Sequence, residues 1–216
     1  MSIILIKLNE GTIMKKGLIY DIFTNIPTIE TERLILRKMM VSDADDMYEY
    51  SCKSEVTKYL LWSPHPDRYY TIDYLKFIGK RYKLGEFYDW AVIEKESGKM
   101  IGTCGFAKID MQNRSAEIGY VLNPDFWGKG YATEAVGKVI DFGFRKVKLN
   151  RLECRYMVEN VQSRRVMEKN GMTFEGVHRG YLYVKEKYRD IGFCAILRED
   201  YFWDKKSSQN DVNAGS

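Results

Sequence analysis

The segment from Glu117 to Ala135 changes period in its middle, and no other stretch restricts the fold as much. Ala116, Ile118, Tyr120 and Leu122 alternate with polar or small residues, the period of a strand. Ala132, Ala135, Val136, Val139, Ile140, Gly143, Phe144 and Val147 then follow the i, i+3, i+4, i+7 spacing of an amphipathic helix. A Pro124-Asp125 turn and two glycines, Gly128 and Gly130, lie between the two patterns. Glycines at such a junction let the main chain approach a ligand closely. The N–H groups of a helix's first turn have no intrahelical partner, and the helix dipole favours an anion there. The expectation is a phosphate or pyrophosphate held by the N–H groups of Gly128, Lys129, Gly130, Tyr131, Ala132 and Thr133; a tight turn without a ligand is the plainer reading. Lys129 is followed by Gly130 rather than Ser or Thr, which excludes a Walker loop, and Thr133 stands where a dinucleotide fingerprint needs Gly or Ala.

The rest of the chain sets this junction in a mixed α and β domain. Leu34–Lys38 reads as a strand, and Ile72, Leu75, Ile78 and Tyr82 space as a helix that Gly85 ends. Tyr88–Glu94, Met100–Ile109 and Ala116–Leu122 read as three strands of an antiparallel meander, with turn signals at Ser97-Gly98 and Gln112-Asn113. Leu152–Val158, a helix over Val161–Asn170 closed by Gly171, and strands near Thr173–Val184 and Tyr188–Leu197 complete the pattern. The strand–helix–strand unit implies one parallel crossover in an α+β fold whose sheet is otherwise mostly antiparallel. Residues 1–30 read as an N-terminal extension able to form a hairpin, interrupted at Pro27. Residues 31–203 read as one domain, and residues 204–216 as a polar tail.

Composition removes several classes. Hydrophobic residues make up 45% of the 216 and charged residues 30%, a globular profile. Lys and Arg number 34 against 30 Asp and Glu, a net charge of +4, which is no dense basic field for nucleic acid. No apolar run has the length to span a bilayer, and the opening residues lack the pattern of a secretory leader. The four cysteines, Cys52, Cys104, Cys154 and Cys194, form no C-x-x-C pair, and there are two histidines, His65 and His178. No metal site is expected, and reduced, packed thiols in a cytoplasmic protein are. His65, between Pro64 and Pro66, reads as exposed.

The run Trp127-Gly-Lys-Gly-Tyr-Ala132 resembles the [RQ]-x-x-G-x-[GA] signature of the GNAT N-acetyltransferase superfamily, with Trp127 in place of Arg or Gln. Thr31–Arg37, Ala116–Tyr120, Asn160–Ser163, Glu168–Met172 and Glu175-Gly176 are similar, in order and spacing, to the branch of ribosomal-protein-alanine N-acetyltransferases, the RimJ/RimL-like proteins. The likeness runs from about Thr31 to Trp203. It implies the GNAT fold, with one parallel strand pair that splays apart and flanking helices. It also implies acetyl-CoA as cosubstrate. Its pyrophosphate would lie on the N–H groups from Gly128 to Thr133, and its pantetheine arm along Tyr120, Val121 and Leu122, with Asn160 bonded to the arm. Asn160 reads equally well as a helix N-cap.

Transfer of an acetyl group to an amine needs a neutral nitrogen, a polarised carbonyl and a proton for the leaving thiolate. Glu117, on one strand face with Gly119 and Val121, is the candidate base, or else a carboxylate paired with a neighbour such as Arg114. Gly119 suggests a bulge or a close approach that frees a main-chain donor for the carbonyl, or else a strand glycine tolerated for packing. Many relatives carry the acid as a tyrosine where this chain has Met167; Ser163, four residues earlier on the same helix face, is the replacement the resemblance suggests, or else a capping hydroxyl. The branch's proposed basic glutamate falls on Leu182. The aromatic segment Tyr59–Tyr70 reads as a wall for the acceptor or as a packed loop. The resemblance implies acetylation of a primary amine. The lower pKa of an α-amine favours a protein N-terminus over lysine, by about 3.3 kcal/mol for pKa values near 8 and 10.4. A small-molecule amine acetyltransferase and a non-catalytic acyl-CoA-binding module are the alternatives, with monomer and homodimer both open.

Overall fold

The computed structural model describes residues 10–203, with side chains from residue 17 onward; residues 1–9 and the polar tail lie outside the described residues. In chain order the elements are α1 (Glu10–Thr24), β1 (Ile29–Glu30), β2 (Leu34–Arg37), α2 (Ala44–Ser51), α3 (Ser54–Thr57), α4 (Arg68–Lys83), β3 (Tyr88–Glu94), β4 (Met100–Asp110), β5 (Ser115–Leu122), α5 (Tyr131–Phe142), β6 (Arg151–Met157), α6 (Val161–Lys169), β7 (Thr173–Val184) and β8 (Lys187–Leu197). The strands form one eight-stranded sheet in the order β1-β2-β3-β4-β5-β6-β8-β7. Every pairing is antiparallel except β5 with β6. This is the expected α+β arrangement with one parallel pair and flanking helices.

Residues 10–24 form a helix, which corrects the expected hairpin. Ile19 and Phe23 lie one turn apart on one face of α1, and both are buried. Phe23 meets Trp90, Phe106 and Phe142 edge-on, with centroids 5.8, 6.3 and 6.5 Å away. Trp90 in turn donates its indole N–H to Pro27 O at 2.8 Å, which satisfies the buried indole. These contacts bring α1 and α5 onto the sheet face that carries Tyr88, Trp90 and Phe106. On the other face α4 starts at Asp67, whose carboxylate accepts from Tyr70 N at 2.8 Å, and ends with Tyr82 donating its hydroxyl to Asp89 O at 2.6 Å.

The Tyr59–Tyr70 segment runs into α4 at Arg68; Leu60 and Trp62 pack against the core, whereas Leu61, Tyr69 and Tyr70 are exposed. His65 is buried, its Nδ1 2.8 Å from Thr71 Oγ1, with the rings of Trp62 and Tyr70 against it. The two prolines turn the imidazole inward, and burial holds it below the usual histidine range. The expected exposed position is therefore corrected.

Phe23→Ala removes the ring at the centre of this aromatic cluster and leaves a cavity. It should lower the unfolding free energy by about 3–5 kcal/mol, read from a urea or guanidinium transition. A change below about 1 kcal/mol would show that α1 is not part of the core.

Candidate active site

The parallel pair is short. β5 and β6 stay in register only through Ser115↔Arg151, Ala116↔Leu152 and Glu117↔Glu153. Beyond Glu117, β5 continues to Leu122 on the arm of β4, and β6 continues to Met157 on the arm of β8. The sheet therefore opens into a wedge. Asn123 N donates to Ile101 O at 2.7 Å, so Asn123, Val121 and Gly119 turn their main-chain groups toward β4. By strand alternation, Tyr120 and Leu122 turn theirs into the wedge. Leu122 O accepts from Trp127 Nε1 at 2.9 Å, whereas Tyr120 has no backbone partner on that side among the described residues. Of the three residues expected along the arm, Tyr120 and Leu122 face the wedge and Val121 is committed to Thr103 in the ladder.

The loop after β5 closes on the wedge through side chains from distant segments. Asn123 is buried, accepting from Lys53 Nζ at 3.4 Å and donating to Glu49 Oε1 at 2.9 Å. Gly128 and Gly130 take positive φ of 75° and 84°, the left-handed conformation that glycine adopts at no cost. Gly130 caps α5, and Glu134 is the first residue to donate back, to Gly130 O at 3.0 Å. The N–H groups from Gly128 to Thr133 have no acceptor within the chain among the described residues. A Cβ on Gly128 would meet nothing within 4 Å, so the cradle is open on that side.

Arg33, just before β2, holds this loop from outside. Its guanidinium donates to Glu134 Oε2 at 2.7 Å and to Lys129 O at 2.9 Å, and it lies 4.4 Å from the centroid of the Tyr131 ring. Glu134 Oε1 also accepts from Arg33 N at 2.9 Å and from Thr31 Oγ1 at 2.5 Å. Although burial works against ionisation, these donors hold the Glu134 carboxyl below its usual range. The sequence offered Arg33 only as part of a resemblance; nothing local reveals a partner 101 residues away.

On the far side of the wedge Asn160 caps α6, its Oδ1 accepting from Ser163 N at 3.1 Å. The Ser163 hydroxyl lies 2.7 Å from the Tyr120 hydroxyl, which also donates to Ser163 O at 3.0 Å. Burial raises the Tyr120 phenol well above its usual range, so it keeps its proton at ordinary pH. Tyr120, expected to contribute main chain alone, thus also ties β5 to α6 through its side chain. Met167, four residues on, is buried in the core.

Two expectations about β5 change. Glu117 pairs with Arg155 of β6, not with Arg114, because the parallel register sets the two strands side by side. The bulge lies on β4 between Phe106 and Lys108, whereas Gly119 is regularly paired with Gly105. Glu117, Gly119 and Val121 share a face with Asp89, Thr103 and Gly105 by register. Among the described residues no group of three or more His, Cys, Asp or Glu could hold a metal ion.

Comparison with known proteins places this geometry. The acetyltransferase (GNAT) domain family matches residues 33–173. The uncharacterized N-acetyltransferase p20 of Bacillus licheniformis is 40% identical over 174 residues, 81% of this chain and 98% of that protein. The crystal structure of a GNAT-family acetyltransferase from Bacillus anthracis matches with a TM-score of 0.72 at 31% identity, covering 80% of this chain and 99% of that one. Shorter matches reach two acceptor classes. One is the ribosomal-protein-serine acetyltransferase of Escherichia coli, 30% identical over 99 residues (46% of this chain, 55% of that protein). The other is the spermidine N(1)-acetyltransferase of Vibrio cholerae, 26% identical over 110 residues (51% and 64%). Since the family match spans well over half of the chain, including the opened strand pair and the glycine loop beneath it, this protein is a member of the GNAT acetyltransferase family.

Proposed function

We propose that the protein is an acetyl-CoA-dependent N-acetyltransferase acting on a primary amine. The observation that carries this reading is the opening of β5 from β6 directly above a helix N-terminus whose first N–H groups are free. The N–H groups from Gly128 to Thr133 suit a diphosphate, and the Arg33 guanidinium beside Lys129 and Gly130 adds fixed positive charge. Tyr120 and Leu122 offer main chain to a pantetheine amide, and the Asn160 side-chain NH2 faces no acceptor among the described residues. The cosubstrate, when bound, supplies an activated acetyl thioester.

For the leaving thiolate, the Ser163 hydroxyl is the donor and the Tyr120 phenol its proton reserve, the two being already bonded. Glu117, held by Arg155, orients that strand pair at the root of the wedge. The acceptor best supported is an α-amine at a protein N-terminus. Its lower pKa suits a site without a strong base, and the E. coli relative is named for acetylating a ribosomal protein. A polyamine acceptor is the second reading, favoured by the spermidine enzyme among the relatives. The buried, unbridged Cys104, Cys154 and Cys194 fit a reducing cytoplasm. No described helix is long and apolar enough to cross a membrane.

Calorimetric titration with coenzyme A should give saturable one-to-one binding, and thiol release from acetyl-CoA should depend on an added amine. Absence of both would overturn the assignment; binding without turnover on any amine would favour an acyl-CoA-binding module. Arg33→Ala should raise the KM for acetyl-CoA about tenfold, roughly 1.4 kcal/mol, with the amine's KM unchanged. Ser163→Ala should lower kcat by about 100-fold with little change in the KM for acetyl-CoA; an unchanged kcat would remove Ser163 as the acid.

A further inference from the structure

Asp89, Gly105 and Gly119 stand in register across β3, β4 and β5, on the face opposite Trp90. A Cβ on Gly105 would fall 2.4 Å from Asp89 Cα and 2.7 Å from Asp89 Oδ1, so the carboxylate leans across Gly105 toward β5. Only glycine permits this approach of the two strands. A Cβ on Gly119 would meet nothing nearer than Ala107 Cβ at 3.8 Å, so the floor beyond Gly105 is bare. The result is an open depression of about 420 Å3, running from Arg81, Glu86 and Asp89 across Gly105 to Lys108 and Gly119. It ends two residues past Glu117, where β5 has already parted from β6.

Asp89 has no cationic partner among the described ion pairs. Its Oδ1 accepts from Trp90 N at 3.0 Å, and Thr103 donates a hydroxyl to the carboxylate. The groups that face it are neutral at ordinary pH: Tyr50 from α2, and Tyr74 and Tyr82 from α4. At the rim Glu86 is tied to Arg81 at 3.3 Å, and Lys108 stands on the bulged strand. A half-buried carboxylate without a cation is costly, and a site that keeps one is set up to receive a cation.

We propose that this depression receives the acceptor's primary ammonium group and that Asp89 binds it and takes its proton. The inference rests on the acetyltransferase reading above and names the acceptor side of that same site. Asp89 removes one proton from the ammonium. The neutral nitrogen then bonds to the acetyl carbon as the carbon–sulfur bond breaks, the departing thiolate takes the Ser163 proton, the nitrogen's second proton restores that hydroxyl, and Asp89 returns its proton to solvent. With Glu86 already paired, one carboxylate remains for one cation. That suits a monoamine such as a peptide α-amine better than a polyamine.

Burial pushes the Asp89 carboxyl up to about 7. The carboxylate that accepts the proton is therefore present above that pH and lost below it. For folding the sign is the opposite: a raised carboxyl favours the folded state below about pH 7, and this contribution is lost as pH rises through it.

The test uses the full chain with acetyl-CoA and three amines: a short peptide with a free N-terminal serine, one with N-terminal alanine, and spermidine. Wild-type kcat/KM for a peptide should fall below about pH 7, and Asp89→Asn should lose that limb and at least 100-fold of the rate at pH 8, with coenzyme A affinity intact by calorimetry. Gly119→Val, which the strand can accept, should raise the amine's KM at least tenfold. Thermal melts should show the advantage of Asp89→Asn over wild type growing from pH 6 to pH 8.5. An Asp89→Asn enzyme that binds coenzyme A and keeps the wild-type rate and pH profile would overturn the role of Asp89 and leave the acetyltransferase reading standing. Spermidine turned over in strong preference to both peptides would overturn the monoamine class. A wild type that binds no coenzyme A and acetylates none of the amines would overturn both.

Discussion

Backbone amides buried in a sheet must be bonded, and in this protein the sheet declines to bond some of its own. β4 holds one edge of β5 as far as Leu122, and β8 holds the outer edge of β6 as far as Met157. Neither strand can leave its wing to follow the other, so the parallel ladder stops after Glu117. Leu122 O is taken by the Trp127 indole, Tyr120's side chain bridges to Ser163, and Tyr120's main chain waits for an outside partner.

The charge on the chain as a whole does little to select that ligand. A net charge of +4 over 216 residues produces no strong field, so an anionic group has to be recognised locally. The N–H groups at the start of α5 have no acceptor among the described residues, and Arg33 lies beside them, paired with Glu134. The ion pair with Glu134 fixes where Arg33 points. It also fastens the segment before β2 to the first turn of α5, so the loop is shaped before a ligand arrives. Pre-shaping of this kind spares the ordering cost that a free glycine loop would impose on binding.

The sheet also keeps the groups proposed as proton donor and proton acceptor apart. Tyr120 and Ser163 meet on the face that carries α5 and α6, whereas Asp89 looks out on the face covered by α2 and α4. Burial raises both titrating groups, with opposite outcomes for their use. The phenol stays protonated at all ordinary pH, and the carboxyl changes state near neutrality. Separate environments that hold one group as an acid and poise the other as a base are what amine acylation needs. The opening between β5 and β6 is where the two faces communicate.

Much of this was legible from residue order alone, because it rests on local periodicity and turn chemistry. The strand over Tyr88–Glu94, the apolar stripe of α5, the cap at Asn160 and the glycine-turned junction follow from neighbours within a few positions. For residues 10–24, short apolar runs broken by glycine suit a hairpin as well as a helix, and the aromatic cluster around Phe23 decides between them. The partners that build the site are tertiary. Glu117 finds Arg155 through the parallel register, and Arg33 finds Glu134 across most of the domain. Asp89, in a strand beside Trp90, looks like an ordinary edge carboxylate until the sheet brings Gly105 and Gly119 into its row. The chain's order thus determined which elements form and where an anion can sit. Folding alone decided which charges are paired and that Asp89 stands outside the described ion pairs, because those depend on distances between segments that no local pattern encodes.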